Sequence, residues 1–481
     1  MKKIVALSCV AFLTTSIYAE TDMQTQLDAL KAQLEKLETQ YTKKIKDLES
    51  KLAKTTKTQN RIKKRVSNVN KLANNDNIKF DVDFRTSYDN IQYKTTDGTK
   101  YSNDGLYSMR LWLGMGYAPK DDMMFKGQLA YNKAFGANYG QRGAGFDTFD
   151  WVGNENLTDD TLRVREAYWL WMPTLNDRGY TLSVGRRPAT NGFLVNLRDD
   201  DKAKSPIGHI INMEFDGISA SVKTDDISEG SYLKVCLGRG LSNATARFNM
   251  TTPDYTTDSN SLHNMDLVGV IAKMYDDGQY TAFAKYYRAF SVLGMNDADN
   301  NGAYSSTVDK MQTYGDMDGA ALSFQISGIG DEINDFLDDS TLFASFAWSK
   351  TRPQDGKAML GSLDNESGTS IYLGAQMPNM TGGKFGVEYN HGSKYWRPFT
   401  YAEDTMIGSK LAVRGDAYEA YWTQPIIDNL FTMQIRYTYI DYKYTGSQAF
   451  FGDFGAPVDV ANVSSAVDKA QDLRVYFRYR Y

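Results

Sequence analysis

From Phe80 onward the hydrophobic and polar positions alternate. Phe80, Val82, Phe84 and Tyr88 share one parity and Asp81, Asp83, Arg85, Ser87 and Asp89 the other, the period of an extended strand with one apolar and one wet face. Tyr107, Met109, Leu111, Leu113, Met115 and Tyr117 repeat the pattern against Ser108, Arg110, Trp112, Gly114 and Gly116. A tight turn follows at Pro119 to Asp122, then a third strand from Met123 to Phe135. Leu162, Val164, Tyr168, Leu170 and Met172 oppose Arg163, Arg165, Ala167 and Trp169. In the last strand, Leu473, Val475, Phe477, Tyr479 and Tyr481 oppose Asp472, Arg474, Tyr476, Arg478 and Arg480.

Short turns are expected at 119–122, 173–179, 225–230, 276–278, 328–340, 378–383 and 425–429. Long loops are expected near 92–104, 136–160, 188–205, 242–264, 293–315, 351–368, 394–410 and 445–468. This rhythm predicts an all-β fold, a transmembrane antiparallel β-barrel of about 16 strands with 18 as the rival count, because a sheet in lipid must close on itself to pair its backbone. Asp216-Gly217 has the composition of a two-residue hairpin. A hairpin there would put the 188–205 loop on the wrong side of the membrane, so Ile207 to Lys223 reads as one long strand with a glycine kink. The parity there stays open, as it does from Tyr280 to Phe290.

Ahead of the alternating region the period is different. Between Thr21 and Ala73 there is no Gly or Pro, and Leu27, Leu34, Tyr41, Leu48, Thr55, Ile62 and Val69 recur every seven positions. This is a coiled-coil seam, strongest in its first half, and as a straight helix it would reach roughly 75 Å. A lone helix cannot bury such a seam, so self-association into a homotrimer is expected, the alternative being a lone solvated helix or one folded back on the barrel. Met1 to Ala19 has a basic start, an apolar stretch from Ile4 to Ile17 and a small residue at its end, the form of a secretory signal peptide. The expected organisation is a signal peptide over 1–19, a periplasmic coiled-coil helix over 20–73 and an outer-membrane barrel over 78–481.

Composition agrees with this organisation and narrows the chemistry. The 481 residues are 42% hydrophobic and carry 32 Tyr, 23 Phe and 39 Gly against 10 Pro. Mean hydropathy is −0.49, and after the first twenty positions no run of about twenty apolar residues occurs, which excludes a helical membrane protein. A net charge of −5 without a basic motif argues against a nucleic-acid partner. Past the leader the only cysteine is Cys236, so no internal disulfide can form, and it reads as a small apolar residue. The histidines are His209, His263 and His391, none in a zinc or haem motif. Asn390-His391-Gly392 beside Ser393 is the one place for a lipid-hydrolase arrangement, and a structural histidine is the stronger reading.

The wet parity carries the candidate site. Arg110, Arg163, Arg165, Arg187, Arg436, Arg474 and Arg478 with Asp81 and Asp83 would line the lumen. Closure of the barrel would bring the arginines of the last strand beside those two aspartates. Guanidinium forks favour anions, and a cross-lumen ladder of ion pairs that selects nothing is an equal alternative. Residues 188–205, with Asn196, Arg198, Asp199, Asp200 and Asp201, form either a constriction loop in the pore or an ordinary outer loop. Asp297, Asp299, Asn301 and Gly302 match the start of a calcium loop, but Val308 stands where the bidentate Glu belongs, so calcium is a weak candidate and no other cofactor is expected.

The stretches Arg163-Val164-Arg165-Glu166-Ala167-Tyr168 and Val184-Gly185-Arg186-Arg187-Pro188, with Gly192 beyond, resemble strand-end motifs of Gram-negative porins that bear an N-terminal coiled coil. In particular they resemble an uncharacterised porin-like family of Campylobacter-type bacteria. The resemblance implies an oligomeric outer-membrane pore and supplies no substrate. The expected function is diffusion of small hydrophilic solutes with weak anion preference. Lipids, those solutes and peptidoglycan are the expected partners, and a structural tether to the cell envelope is the alternative.

Overall fold

The computed structural model describes residues 78–135, 162–187, 189–248, 253–257, 262–298, 311–330, 333–400, 405–447, 449 and 451–481, together with helical residues between 32 and 46. The chain divides into two units, Met1–Ala73 and Asn74–Tyr481. In the first, residues 41–46 are helical. The leader and most of the heptad stretch lie outside the described residues.

The second unit is built from β1 (Lys79–Thr95), β2 (Lys100–Lys120), β3 (Met123–Ala134), β4 (Arg163–Trp171), β5 (Arg178–Arg187), β6 (Phe215–Lys223), β7 (Tyr232–Leu241) and β8 (Met265–Asp276). It continues through β9 (Tyr280–Met295), β10 (Met311–Ser327), β11 (Thr341–Pro353), β12 (Ser367–Pro378), β13 (Lys384–Gly392), β14 (Gly415–Ile427), β15 (Phe431–Tyr442) and β16 (Val467–Arg480). Each pairs antiparallel with the next, and β16 pairs with β1. The result is a closed barrel of sixteen strands. Of the eighteen strands in the sheet, the other two are the two-residue pieces Thr174–Leu175 and Phe451–Gly452. At the seam the main chains of Val82 and Tyr481 exchange hydrogen bonds of 2.8 and 2.9 Å.

The burial pattern is inverted relative to a soluble sheet. On β16, Leu473, Phe477 and Tyr479 are exposed and Asp472, Arg474, Tyr476 and Arg478 are buried. An outward apolar parity suits a lipid-facing wall, and an inward polar parity is buried only because the lumen is filled.

Two expectations are corrected and one open reading is resolved. The loop near 92–104 is a four-residue turn, residues 96–99. The ladder continues through Ile91↔Asn103 and Tyr93↔Tyr101 to Lys94↔Lys100, and Asp97 ties the tip by accepting from the Thr99 N–H and the Thr95 hydroxyl. Ile207 to Lys223 is not one strand. Asp216-Gly217 lies inside β6, opposite Gly185 and Gly238, but residues 204–212 form separate short strands inside the barrel. The open parity near 280–290 has a cause as well. Phe283, Lys285 and Tyr287 point inward, then a register break between Ala289 and Val292, with Ser291 at φ 55°, leaves Val292, Leu293 and Met295 all buried.

Residues of the 189–213 segment, Phe193, Leu194, Ile207 and Ile211 among them, pack against the inward residues Leu267, Phe283, Tyr287, Met317 and Phe343 and against Trp396 and Phe399 from the loop after β13. Room for the rings comes from glycines on neighbouring strands: a Cβ at Gly319 would sit 2.4 Å from the Tyr287 ring, and one at Gly374 would sit 2.2 Å from that of Phe343.

Candidate functional site

The segment from Ala189 to Glu214 is folded into the lumen. Its central turn, a 3-10 helix over Val195–Asp199, buries Val195, Asn196, Arg198 and Asp199. A turn this short leaves several carbonyls without partners of its own, and the wall supplies donors from two sides. Gln376 of β12 donates to the Leu197 carbonyl at 2.7 Å and Gln434 of β15 to the Arg198 carbonyl at 2.8 Å. From β16, Arg478 donates to the Asp199 carbonyl at 3.0 Å and to the Asp201 carboxylate at 2.9 Å, and Tyr476 donates to the Asp199 carboxylate at 3.2 Å. Arg480 reaches Asp201 at 3.0 Å. Burial outweighs the two arginines and lifts the Asp201 carboxyl above its usual range.

Beside these contacts lies a buried carboxylate centre. Glu419 of β14 accepts from Lys410 at 2.5 Å, Arg198 at 3.2 Å and the Thr438 hydroxyl at 2.7 Å, with Arg436 at 3.9 Å. Lys410 also pairs with Glu388, which accepts from the Tyr372 hydroxyl at 2.6 Å. Lys410 lies in the loop after β13, so a second connection enters the lumen at this point. Two buried arginines of that loop donate to carbonyl oxygens. Arg397 donates to Ser447 at 2.8 Å, and Arg414 to Trp396, Thr445 and Gly455 at 2.7 to 3.0 Å. Burial, with Arg397 adding like charge, lowers Arg414 to about 9.

The arginines and aspartates expected in the lumen meet unevenly. Arg478 pairs with Asp83, at 2.9 Å through Nε, and Arg110 stands 3.4 Å from the same carboxylate. Arg474 pairs with Asp89 rather than with Asp81 or Asp83. Asp81 is exposed and has no ion pair among the described residues. Arg165 donates to Gln128 at 2.5 Å, lies 3.2 Å from Glu214 and bonds the Thr190 hydroxyl, so it pins the start of the segment and also its end. Arg110 and Arg165 both lie against Trp112, at 3.5 and 3.9 Å from its ring centre. Arg163 is half-buried near the start of β4, without an ion pair among the described residues. Arg187 is apart from this group, 4.5 Å over the Tyr168 ring.

Glu166 breaks the alternation of β4 because the register slips between Gln128 and Leu129. The bulge turns both Arg165 and Glu166 inward, where Glu166 meets Lys204 at 3.1 Å. Arg198 and Asp199 belong to the loop that the pattern singled out. Glu419, Lys410, Gln376 and Gln434 were missed: the last two look like any polar lining residue, and Lys410 sits in a loop with no periodicity.

Asp299 and Asn301 of the calcium candidate lie outside the described residues, and the Asp297 N–H donates to the Asp453 carboxylate at 3.0 Å. Among the described residues no cluster is placed to hold a metal ion. His391 pairs with Asp416 at 2.9 Å, while the Ser393 hydroxyl accepts from the Thr369 N–H at 2.8 Å.

A family model described as "Protein of unknown function (DUF3373)" matches residues 100–481. None of the curated proteins matches the chain. Among solved structures the chain is similar to OprB of Pseudomonas putida in its high-pH structure, at 12% identity and TM-score 0.47 over 87% of this chain and 96% of that one. It is similar to the anion-selective porin from Comamonas acidovorans, at 11% identity and TM-score 0.47 over 84% and 99%. A third similarity is to Salmonella typhi OmpF in complex with daunomycin, at 11% identity and TM-score 0.45 over 84% and 98%.

Proposed function

Because the chain belongs to the DUF3373 family, whose description assigns no activity, we propose from its own geometry that it is an outer-membrane porin passing small hydrophilic solutes. One observation carries the reading: a closed barrel, apolar outside, holds a segment pinned across a charged lumen by Arg478, Gln376 and Gln434. A tether needs no charged interior, whereas a diffusion channel needs a wet wall and a defined narrowing.

Anion preference in this reading is weak. Asp83, Asp89 and Glu419 stand close to Arg478, Arg474 and Arg198, so most guanidinium charge is neutralised within the wall. The same reading has the leader direct export, the helical stretch over 20–73 lie in the periplasm and the barrels assemble as a homotrimer, with the longer connections on the outer side. Lipid surrounds the wall, and peptidoglycan is a partner for the helix.

The apolar filling of half the lumen favours a second reading, a barrel that anchors the helix to the envelope without transport. Single-channel recording of the purified full chain in planar bilayers across a salt series separates them. Discrete conductance steps with a slightly anion-selective reversal potential are expected. Clear cation preference sinks the selectivity, and absence of conductance sinks the porin.

A further inference from the structure

Behind the in-folded segment, on the side of β5 to β9, three basic side chains face one small cavity of about 30 Å³. Arg187, Lys234 and Lys285 line it from the wall, and Ala189, Ser205 and Ile211 close it from the segment. The ladder explains the convergence. Lys234 is paired with Ile271 and Ile271 with Lys285, so the two lysines lie on one cross-strand row, roughly 10 Å apart at their Cα atoms. In the adjacent row Gly269 lies opposite Cys236 and has no side chain to fill the space.

No carboxylate neutralises this group. Lys234 donates to the Ser205 hydroxyl at 2.8 Å, a neutral partner that retains its own proton to donate. Arg187 donates to Ser183 and stacks on Tyr168. Lys285 is 7% exposed and has neither an ion pair nor a hydrogen bond among the described residues. The nearby acids are engaged elsewhere, Glu166 with Lys204 and Glu214 with Arg165. A buried cation is normally paired or coordinated, and Lys285 shares this cavity with two half-buried ones, Lys234 and Arg187, and with no acidic group in the lining but the Cys236 thiol. The volume exceeds the roughly 10–15 Å³ that one water needs and is too small for a sugar or a nucleotide.

We propose that this cavity binds one small monovalent anion of halide size, held by Lys285, Lys234 and Arg187, and that the anion fastens the segment to the wall. The site lies beside the charged lumen and does not depend on the protein conducting.

Crystals of the full chain soaked in sodium bromide and measured at the bromine absorption edge test it directly. An anomalous peak beside Lys285 Nζ is expected, and peaks confined to the surface, or none, overturn the proposal. Melting in detergent gives a second readout, with sodium bromide compared against sodium gluconate at equal ionic strength. Wild type is expected to gain about 2 °C or more with bromide, and Lys285→Met and Lys285→Gln to lose that gain while folding in gluconate. A melting temperature indifferent to the anion, or an equal gain in both variants, overturns the site and leaves Lys285 as an amine carried neutral.

Discussion

Across β8 to β12 the lumen is filled by contact: Phe283, Tyr287, Met317 and Phe343 meet Phe193, Ile211 and Phe399 in one apolar cluster. Across β14, β15, β16 and β1 it is filled mainly by charge, with Glu419, Arg436, Arg474, Asp89, Arg478 and Asp83 all buried, beside a smaller apolar cluster of Ile91, Ala417, Ile440 and Ala470. The same segment touches both halves, so it is glued on one side and wired on the other. Apolar contact is non-directional and tolerates small changes of shape. Buried charge is directional, and losing one partner leaves the others uncompensated.

Isosteric changes separate the halves most sharply. Glu419→Gln keeps the shape but removes the one carboxylate that Lys410, Arg198 and Arg436 share, and is expected to lose about 3–5 kcal/mol. Met317→Leu, on the apolar side, is expected to lose less than about 1.5 kcal/mol. Urea unfolding of the reconstituted barrel reads both, and equal losses would remove the distinction.

A smaller effect comes from a titratable group that the segment itself carries among the apolar residues. His209 lies in the in-folded segment, with Nδ1 2.8 Å from the Ser345 hydroxyl and Nε2 2.8 Å from that of Ser370. Burial pulls its pKa down to about 3 from 6.5, against a weaker opposing bond from Asn390. Above pH 6.5 the ring is neutral folded or unfolded and nothing is lost. As pH falls from 6.5 toward 3, only the unfolded chain takes up the proton, so stability declines, by about 2 kcal/mol at pH 5. His209→Phe is expected to flatten that dependence, and an unchanged slope would assign it to other groups.

The smallest effect belongs outside both halves. Arg239 and Asp266 form a two-pronged pair at 2.7 and 2.9 Å, but both are nearly half exposed. Arg239→Ala should change stability by less than about 1 kcal/mol and lose even that in high salt. A loss comparable to that of Glu419→Gln would mean that burial does not set the energetics of charge in this barrel.

The contrast also governs how much could be read from the chain. Where the inward parity is charged, as on β1, β2 and β16, alternation is clean, and it led to the strands and to the pairing of Arg478 with Asp83. Where the inward parity is apolar, as at Phe283, Tyr287 and Met317, lipid-facing and lumen-facing residues look alike and the period vanishes. That is why the parity near Tyr280 is ambiguous in the sequence and why 207–212 reads as part of a strand. The bulge at Arg165 was signalled only by a carboxylate on the wrong parity. The Glu419 centre is not legible in the sequence, because Lys410 comes from a loop without periodicity and Arg198 from 221 positions away along the chain.

Trp112, held between the guanidinium groups of Arg110 and Arg165, is also an optical gauge. Arg165 is the residue that grips Thr190 and Glu214, so any shift of the folded-in segment changes the charge above that indole and with it the colour of its emission. The difference spectrum between the native chain and Trp112→Phe thus follows the segment in an intact bilayer, without a label and without a current.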